Sequence, residues 1–162
     1  MGFIEETGAA QYYRDAKILT IYEGTTAIQS NDLVGRKTAR DGGQTARALS
    51  GQIAQTEELL AARDDAAAQS FAKNLKAARL AFLEAVDFIA GSAKARPNAA
   101  YAGSVPYLML TGNLMAGWQM GRALLAAQDS LNEGEDVDFM KSKIVTARFY
   151  AEHILEIGRA HV

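Results

Sequence analysis

A chain of 162 residues, 49% hydrophobic and 22% charged, has the size of one globular domain and can bury a core, which excludes a disordered or fibrous protein. Seventeen Lys and Arg against nineteen Asp and Glu give a net charge of -2 with no long run of one sign, so neither a nucleic-acid nor an anionic-membrane partner is expected. Without cysteine there can be no disulfide, thiolate nucleophile or Cys-type metal site, and two histidines, His153 and His161, are too few for most histidine-rich sites, so no metal is expected.

Alanine and leucine abound and only Pro97 and Pro106 lack a backbone N–H, so the expected fold is all-α, a bundle of up-and-down antiparallel helices. The start, Met1-Gly2-Phe3-Ile4-Glu5-Glu6, is acidic, and no apolar run approaches the roughly 20 residues that span a bilayer. Neither a signal peptide nor a membrane span is expected, and the default setting is cytoplasmic.

The first forty residues are dense in polar, aromatic and glycine residues and do not read as a plain amphipathic helix, which makes them the place to look for chemistry. Paired Gly42-Gly43 predicts a helix break, and a boundary is placed there, between 1–43 and 44–162. Leu49, Ile53, Thr56 and Leu60 predict a helix over 44–63. Asp64-Asp65 can cap the next helix, whose stripe is Phe71, Leu75, Ala78, Phe82, Ala85 or Val86, and Ile89, with Gly91 and Pro97 bracketing its end.

From Asn98 to Leu131 the chain is most apolar, and Tyr107, Leu110, Leu114, Trp118, Gly121 and Leu125, widened by Leu108, Met115 and Arg122, predict the central helix of the bundle. Gly112, Gly117 and Gly121 cost helix stability, so each is expected where a neighbour packs closely. After the polar turn 132–136, a last helix carries Val137, Met140, Ile144, Ala147, Ala151 and Ile154 on one side. Four helices from residue 44 can close a bundle within the chain, and a coiled-coil strip for a partner is the alternative. The tail Gly158–Val162 leaves the amphipathic pattern. His153 and His161 read as ordinary surface or core histidines, and Trp118 and most tyrosines as core residues.

Residues 12–29 read Tyr-Tyr-Arg-Asp-Ala-Lys-Ile-Leu-Thr-Ile-Tyr-Glu-Gly-Thr-Thr-Ala-Ile-Gln and are followed by Asn31-Asp32-Leu33-Val34-Gly35-Arg36. This run resembles the late signature of the acyl-CoA dehydrogenase family, in which Tyr-Arg-Asp-Ala-Lys-Ile leads into Ile-Tyr-Glu-Gly-Thr. The resemblance implies that Glu23 is the catalytic base. Abstracting a proton alpha to a thioester carbonyl needs a carboxylate in a dry site and donors that hold the developing enolate. In the family those donors are the backbone N–H of this glutamate and a ribityl hydroxyl of FAD, and a beta hydride passes to the flavin. By the same resemblance Tyr22 and Gly24 bind substrate, Gly24 letting the backbone approach the thioester, and Thr25, Thr26 and Ala27 contact the flavin nucleotide. Gln29 belongs to the same helix start.

Each of these residues also has a plainer reading. Thr25 or Thr26 can be an ordinary N-cap, Arg14 and Asp15 a local ion pair fixing the loop, Tyr22 a core residue, Glu23 a surface glutamate at a helix start, and Arg36 a solvated helix residue.

Residues 1–43 resemble the end of the family's catalytic helical domain, and 44 to about 157 the extra C-terminal helical region of its longer members. Met1-Gly2-Phe3 is similar to the tail of the family's Gly-Gly-x-Gly-Phe flavin-contact loop. The expectation is therefore a C-terminal fragment that carries the base, lacks most of the flavin site and is inactive alone. The resemblance implies FAD as cofactor, an acyl-CoA substrate, electron-transfer flavoprotein as partner and a homo-oligomeric full enzyme. The rival expectation is a helical interaction or oligomerisation module that keeps the signature without catalysis.

Overall fold

A computed structural model describes residues 4, 6, 8–19, 25–134 and 136–155. Among them the only regular structure is helical: α1 (Ala9–Ile18), α2 (Thr26–Asp32) running on as a π-helix (Leu33–Ala39), α3 (Gln44–Ala61), α4 (Ala66–Ser92), α5 (Pro97–Ala102), α6 (Ser104–Glu133) and α7 (Val137–Tyr150) with a closing π-helical turn (Ala151–Leu155).

The long helices α3, α4, α6 and α7 form an up-and-down bundle, as expected. Arg47 pairs with Asp87 and Glu57 with Arg79, so α3 and α4 are antiparallel. Phe82 meets Tyr107 and Gln128 bonds Asp65, so α4 and α6 are antiparallel too. Thr56 bonds Trp118 and Arg63 pairs with Asp129, which sets α3 parallel to α6. Ile53, Leu60, Phe71, Leu75, Phe82, Leu114, Leu124 and Leu155 fill the centre at 3% exposure or less. Each such side chain contributes roughly 1.5–3 kcal/mol on leaving water.

Local chemistry explains the boundaries. Gly42 and Gly43 have φ of 67° and 81°, and a Cβ on Gly43 would lie 2.5 Å from Val86 Cγ1, so only glycine serves there. Asp41, just before that pair, accepts from Gly43 N–H and Thr45 N–H, both at 2.9 Å, and so caps α3 from outside. Asp65 caps α4 as expected, its carboxylate accepting from the N–H groups of Ala67 and Ala68.

The structure corrects the expected pattern in several places. The central helix does not start at Asn98: Gly103 separates the short α5 from α6, with Pro97 in the first turn of α5 and Pro106 in that of α6, where their missing N–H groups have no intrahelical acceptor to lose. Gly112 is exposed and a Cβ there would meet nothing within 4 Å, whereas Gly117 faces Leu155 and Gly121 faces Leu60, so only the last two serve close packing. Arg122 does not widen the buried face. It is exposed, its guanidinium 5.7 Å over the Trp118 ring. On α7 the final core position is Leu155 and not Ile154, because the wide π-helical turn carries the Ala147–Ala151 line on by four residues. Tyrosines are less buried than expected: Tyr107 is core and Tyr150 half-buried, while Tyr12 and Tyr13 are 79% and 69% exposed.

Candidate functional site

The signature residues Tyr22, Glu23 and Gly24 lie outside the described residues, whereas Thr25 and the helix after it lie within them. Thr25 has an extended backbone, φ −65° and ψ 160°, and its Oγ1 accepts from Ile28 N–H at 3.3 Å while its carbonyl accepts from Gln29 N–H at 3.0 Å. It is the N-cap of α2, so the plainer reading of this threonine is realised. Thr26 and Ala27 form the first turn, where backbone N–H groups have no intrahelical acceptor, and both are exposed together with Ile28 and Gln29. The three proposed nucleotide contacts are thus contiguous, solvent-facing, and rich in N–H and hydroxyl donors with no carboxylate among them. That donor set fits an anionic dinucleotide such as FAD.

Upstream, α1 has no buried residue and shows Tyr12, Tyr13, Ile18 and Leu19 to solvent. Arg14 and Asp15 are joined through Gln11, whose amide donates to Asp15 at 2.8 Å and accepts from Arg14 at 3.1 Å. Downstream, Arg36 pairs with Asp32 at 3.1 Å on the surface, as a solvated helix residue would.

The opposite face of the segment 26–39 enters the bundle. Ser30, Val34 and Thr38 are 0%, 0% and 1% exposed. The hydroxyls of Ser30 and Ser104 are hydrogen-bonded at 3.1 Å, and those of Thr38 and Tyr107 at 2.9 Å. Burial pushes the Tyr107 phenol above its ordinary range, opposed by its bond to Thr38. Sequence reading took Tyr107 as apolar core and passed over Ser30, Thr38 and Ser104. The available signal was the i, i+4, i+8 spacing of Ser30, Val34 and Thr38.

Residues 49–162 match the family described as "Acetyl-CoA dehydrogenase C-terminal like", and residues 1–38 match "Acyl-CoA dehydrogenase, C-terminal domain". The chain belongs to the acyl-CoA dehydrogenase family. Over 155 residues, 96% of this chain, it is 57% identical to the 3-methylmercaptopropionyl-CoA dehydrogenase of Ruegeria pomeroyi, covering 26% of that protein. A broad-specificity linear acyl-CoA dehydrogenase of Mycobacterium tuberculosis is 34% identical over 96% of the chain and 27% of its own length. A butyryl-CoA dehydrogenase of Syntrophomonas wolfei is also 34% identical, over 95% of the chain and 25% of its own length. The chain spans about a quarter of the length of these acyl-CoA dehydrogenases. Among the described residues no helix is long and apolar enough to cross a membrane.

Proposed function

We propose that this chain is the C-terminal part of a cytoplasmic, flavin-dependent acyl-CoA dehydrogenase of fatty-acid β-oxidation, which oxidises an acyl-CoA thioester to the trans-2-enoyl-CoA. The observation that carries the reading is that the family's Tyr-Glu-Gly-Thr segment runs directly into a capped helix start, with Thr25 the cap two residues after Glu23. In the proposed division, 1–43 ends the catalytic helical domain and 44–162 is the extra helical bundle, a boundary supported by the glycine turn at 42–43.

Glu23 takes the proton from the thioester alpha carbon onto its carboxylate. The electron pair of that C–H bond becomes the alpha–beta double bond as the beta hydrogen leaves with its own pair. The Glu23 backbone N–H donates to the thioester oxygen, where negative charge develops. Gly24 leaves room for the carbonyl, and Tyr22 lines the acyl site. Thr25, Thr26 and Ala27 would hold the nucleotide of FAD. Bound FAD would supply the hydride acceptor, and the expected partner of the full enzyme is electron-transfer flavoprotein. The full enzyme is a homo-oligomer, and the isolated chain is inactive.

The test adds FAD and acyl-CoA thioesters, 3-methylmercaptopropionyl-CoA and butyryl-CoA among them, to the full-length protein and to the isolated chain, and follows anaerobic flavin bleaching. Bleaching by the full-length protein alone, lost in Glu23→Gln, is the expected result. Bleaching by the isolated chain would overturn its assignment as an inactive fragment, and bleaching retained in Glu23→Gln would overturn the base. No bleaching by the full-length protein would favour a non-catalytic helical module.

A further inference from the structure

The α2–π segment is a single rod: Asp32 and Leu33 keep helical dihedrals across the junction. In an α-helix, steps of four residues overshoot a full turn by about 40°. The wider π-helical turn makes the same step fall short. The α-to-π switch between residues 32 and 33 therefore cancels the drift and keeps Ser30, Val34 and Thr38 on one face, all buried against the bundle.

Apolar burial of Val34 holds this rod to the bundle but leaves it free to turn and slide, because hydrophobic attraction has no direction. Hydrogen bonds do have direction. One pins the leading half of the rod, where Ser30 meets Ser104 at 3.1 Å and also donates to the Ala27 carbonyl at 2.9 Å. The other pins the trailing end, where Thr38 meets Tyr107 at 2.9 Å. Both partners are on α6, one turn apart, and the Tyr107 ring is itself fixed by stacking on Phe82 of α4, 5.9 Å between centroids with planes 5° apart. Between them Gly35 passes under Tyr101, whose hydroxyl would collide with any Cβ there.

We propose that Ser104 and Tyr107 are positioning residues for the catalytic base: through Ser30 and Thr38 they fix the rotation and axial position of the rod that begins three residues after Glu23. The extra C-terminal bundle then has a part in catalysis without touching substrate. This rests on the assignment of Glu23 as base. A base displaced by a fraction of an ångström still binds substrate but removes its proton more slowly.

The experiment uses the full-length enzyme and two rates: anaerobic flavin reduction, and exchange of the substrate alpha protons with deuterium from solvent. In folded, FAD-replete Tyr107→Phe both rates fall about fivefold, the loss of one buried hydrogen bond expressed as a rate, while the KM for acyl-CoA stays within about twofold. Thr38→Val combined with Tyr107→Phe is no slower than Tyr107→Phe alone, since the same bond is lost, and Thr38→Ser keeps the wild-type rates. Ser104→Ala shifts both rates in the same direction and decides the matter should Tyr107→Phe fail to fold. Rates within about twofold of wild type in the folded variants, with only the Tm lowered, would overturn the proposal. Failure of the base assignment is read separately, in Glu23→Gln that still exchanges alpha protons.

Discussion

Arg79 grips Glu57 through two parallel bonds, Nε to Oε1 at 2.6 Å and Nη2 to Oε2 at 2.9 Å, with side chains only 14% and 8% exposed. The bond to Glu57 raises the guanidinium pKa, and the only other described partner is Ser50 at 3.5 Å. Removing the carboxylate leaves a poorly solvated cation between α3 and α4. Glu57→Ala is expected to cost about 3 kcal/mol in chemical denaturation. The double variant Glu57→Leu with Arg79→Met recovers most of that loss, because no charge is then left without its partner.

The helical glycines of α6 separate two opposing effects. Gly112→Ala gains about 0.5–1 kcal/mol, because the helix interior prefers alanine and a Cβ there meets nothing within 4 Å. Gly117→Ala places a Cβ 2.9 Å and 3.2 Å from the two methyls of Leu155, which is 1% exposed and has nowhere to withdraw. Its overpacking outweighs the helix gain, and it is expected to lose about 1 kcal/mol. Thermal unfolding of the two variants side by side reads the opposite signs.

Periodicity made the bundle legible because α3 and α4 bury one stripe each, and their stripes through Ile53, Leu60, Phe71 and Phe82 could be read from spacing. It failed where the helix itself changed. A fixed step of 3.6 cannot foresee the π-helical turn that makes Leu155 a core residue. Residue type also misled: Tyr107 was legible as core, but that its hydroxyl serves Thr38 depends on a contact 69 residues away in sequence. Of the candidate site, the Thr25 cap was legible as a local pattern, since capping acts within one turn.

Burial raises the phenol pKa of Tyr107 and of half-buried Tyr150 above the ordinary 10.0. The folded state therefore keeps these protons after the unfolded chain has begun to lose them. Their stabilisation is complete below pH 10.0 and is lost as the pH rises through the folded values. Denaturant titrations above that pH should show falling stability, with phenolate absorbance appearing alongside unfolding. Tyr150→Phe makes the alkaline fall shallower. An unchanged slope would show that these phenols already reach solvent in the folded state.

Asp41 acts at the other end of the pH scale. Hydrogen bonds from Thr45, through side chain and backbone, and from Gly43 N–H hold its carboxyl below the ordinary carboxylate value. Its contribution is present above the unfolded value and disappears as the pH falls through the lower folded one. Asp41→Asn should lower the Tm at neutral pH by more than it does in acid, where the native carboxyl has itself become neutral. Equal losses at both pH values would assign the cap to shape alone, without the charge.

Trp118 donates its indole N–H to Thr56 Oγ1 at 2.8 Å, linking α6 to α3 at a threonine that is 6% exposed. Thr56→Val keeps the shape and removes the acceptor, leaving a half-buried donor unpaired. The expected loss is about 1–2 kcal/mol, and Thr56→Ser, which retains the hydroxyl, loses less. Trp118 is the sole tryptophan of the chain, so unfolding followed by its emission reports on this junction directly. A Thr56→Val protein as stable as wild type would mean that water replaces the threonine as acceptor for this half-buried indole, an exchange read in the shift of the same emission.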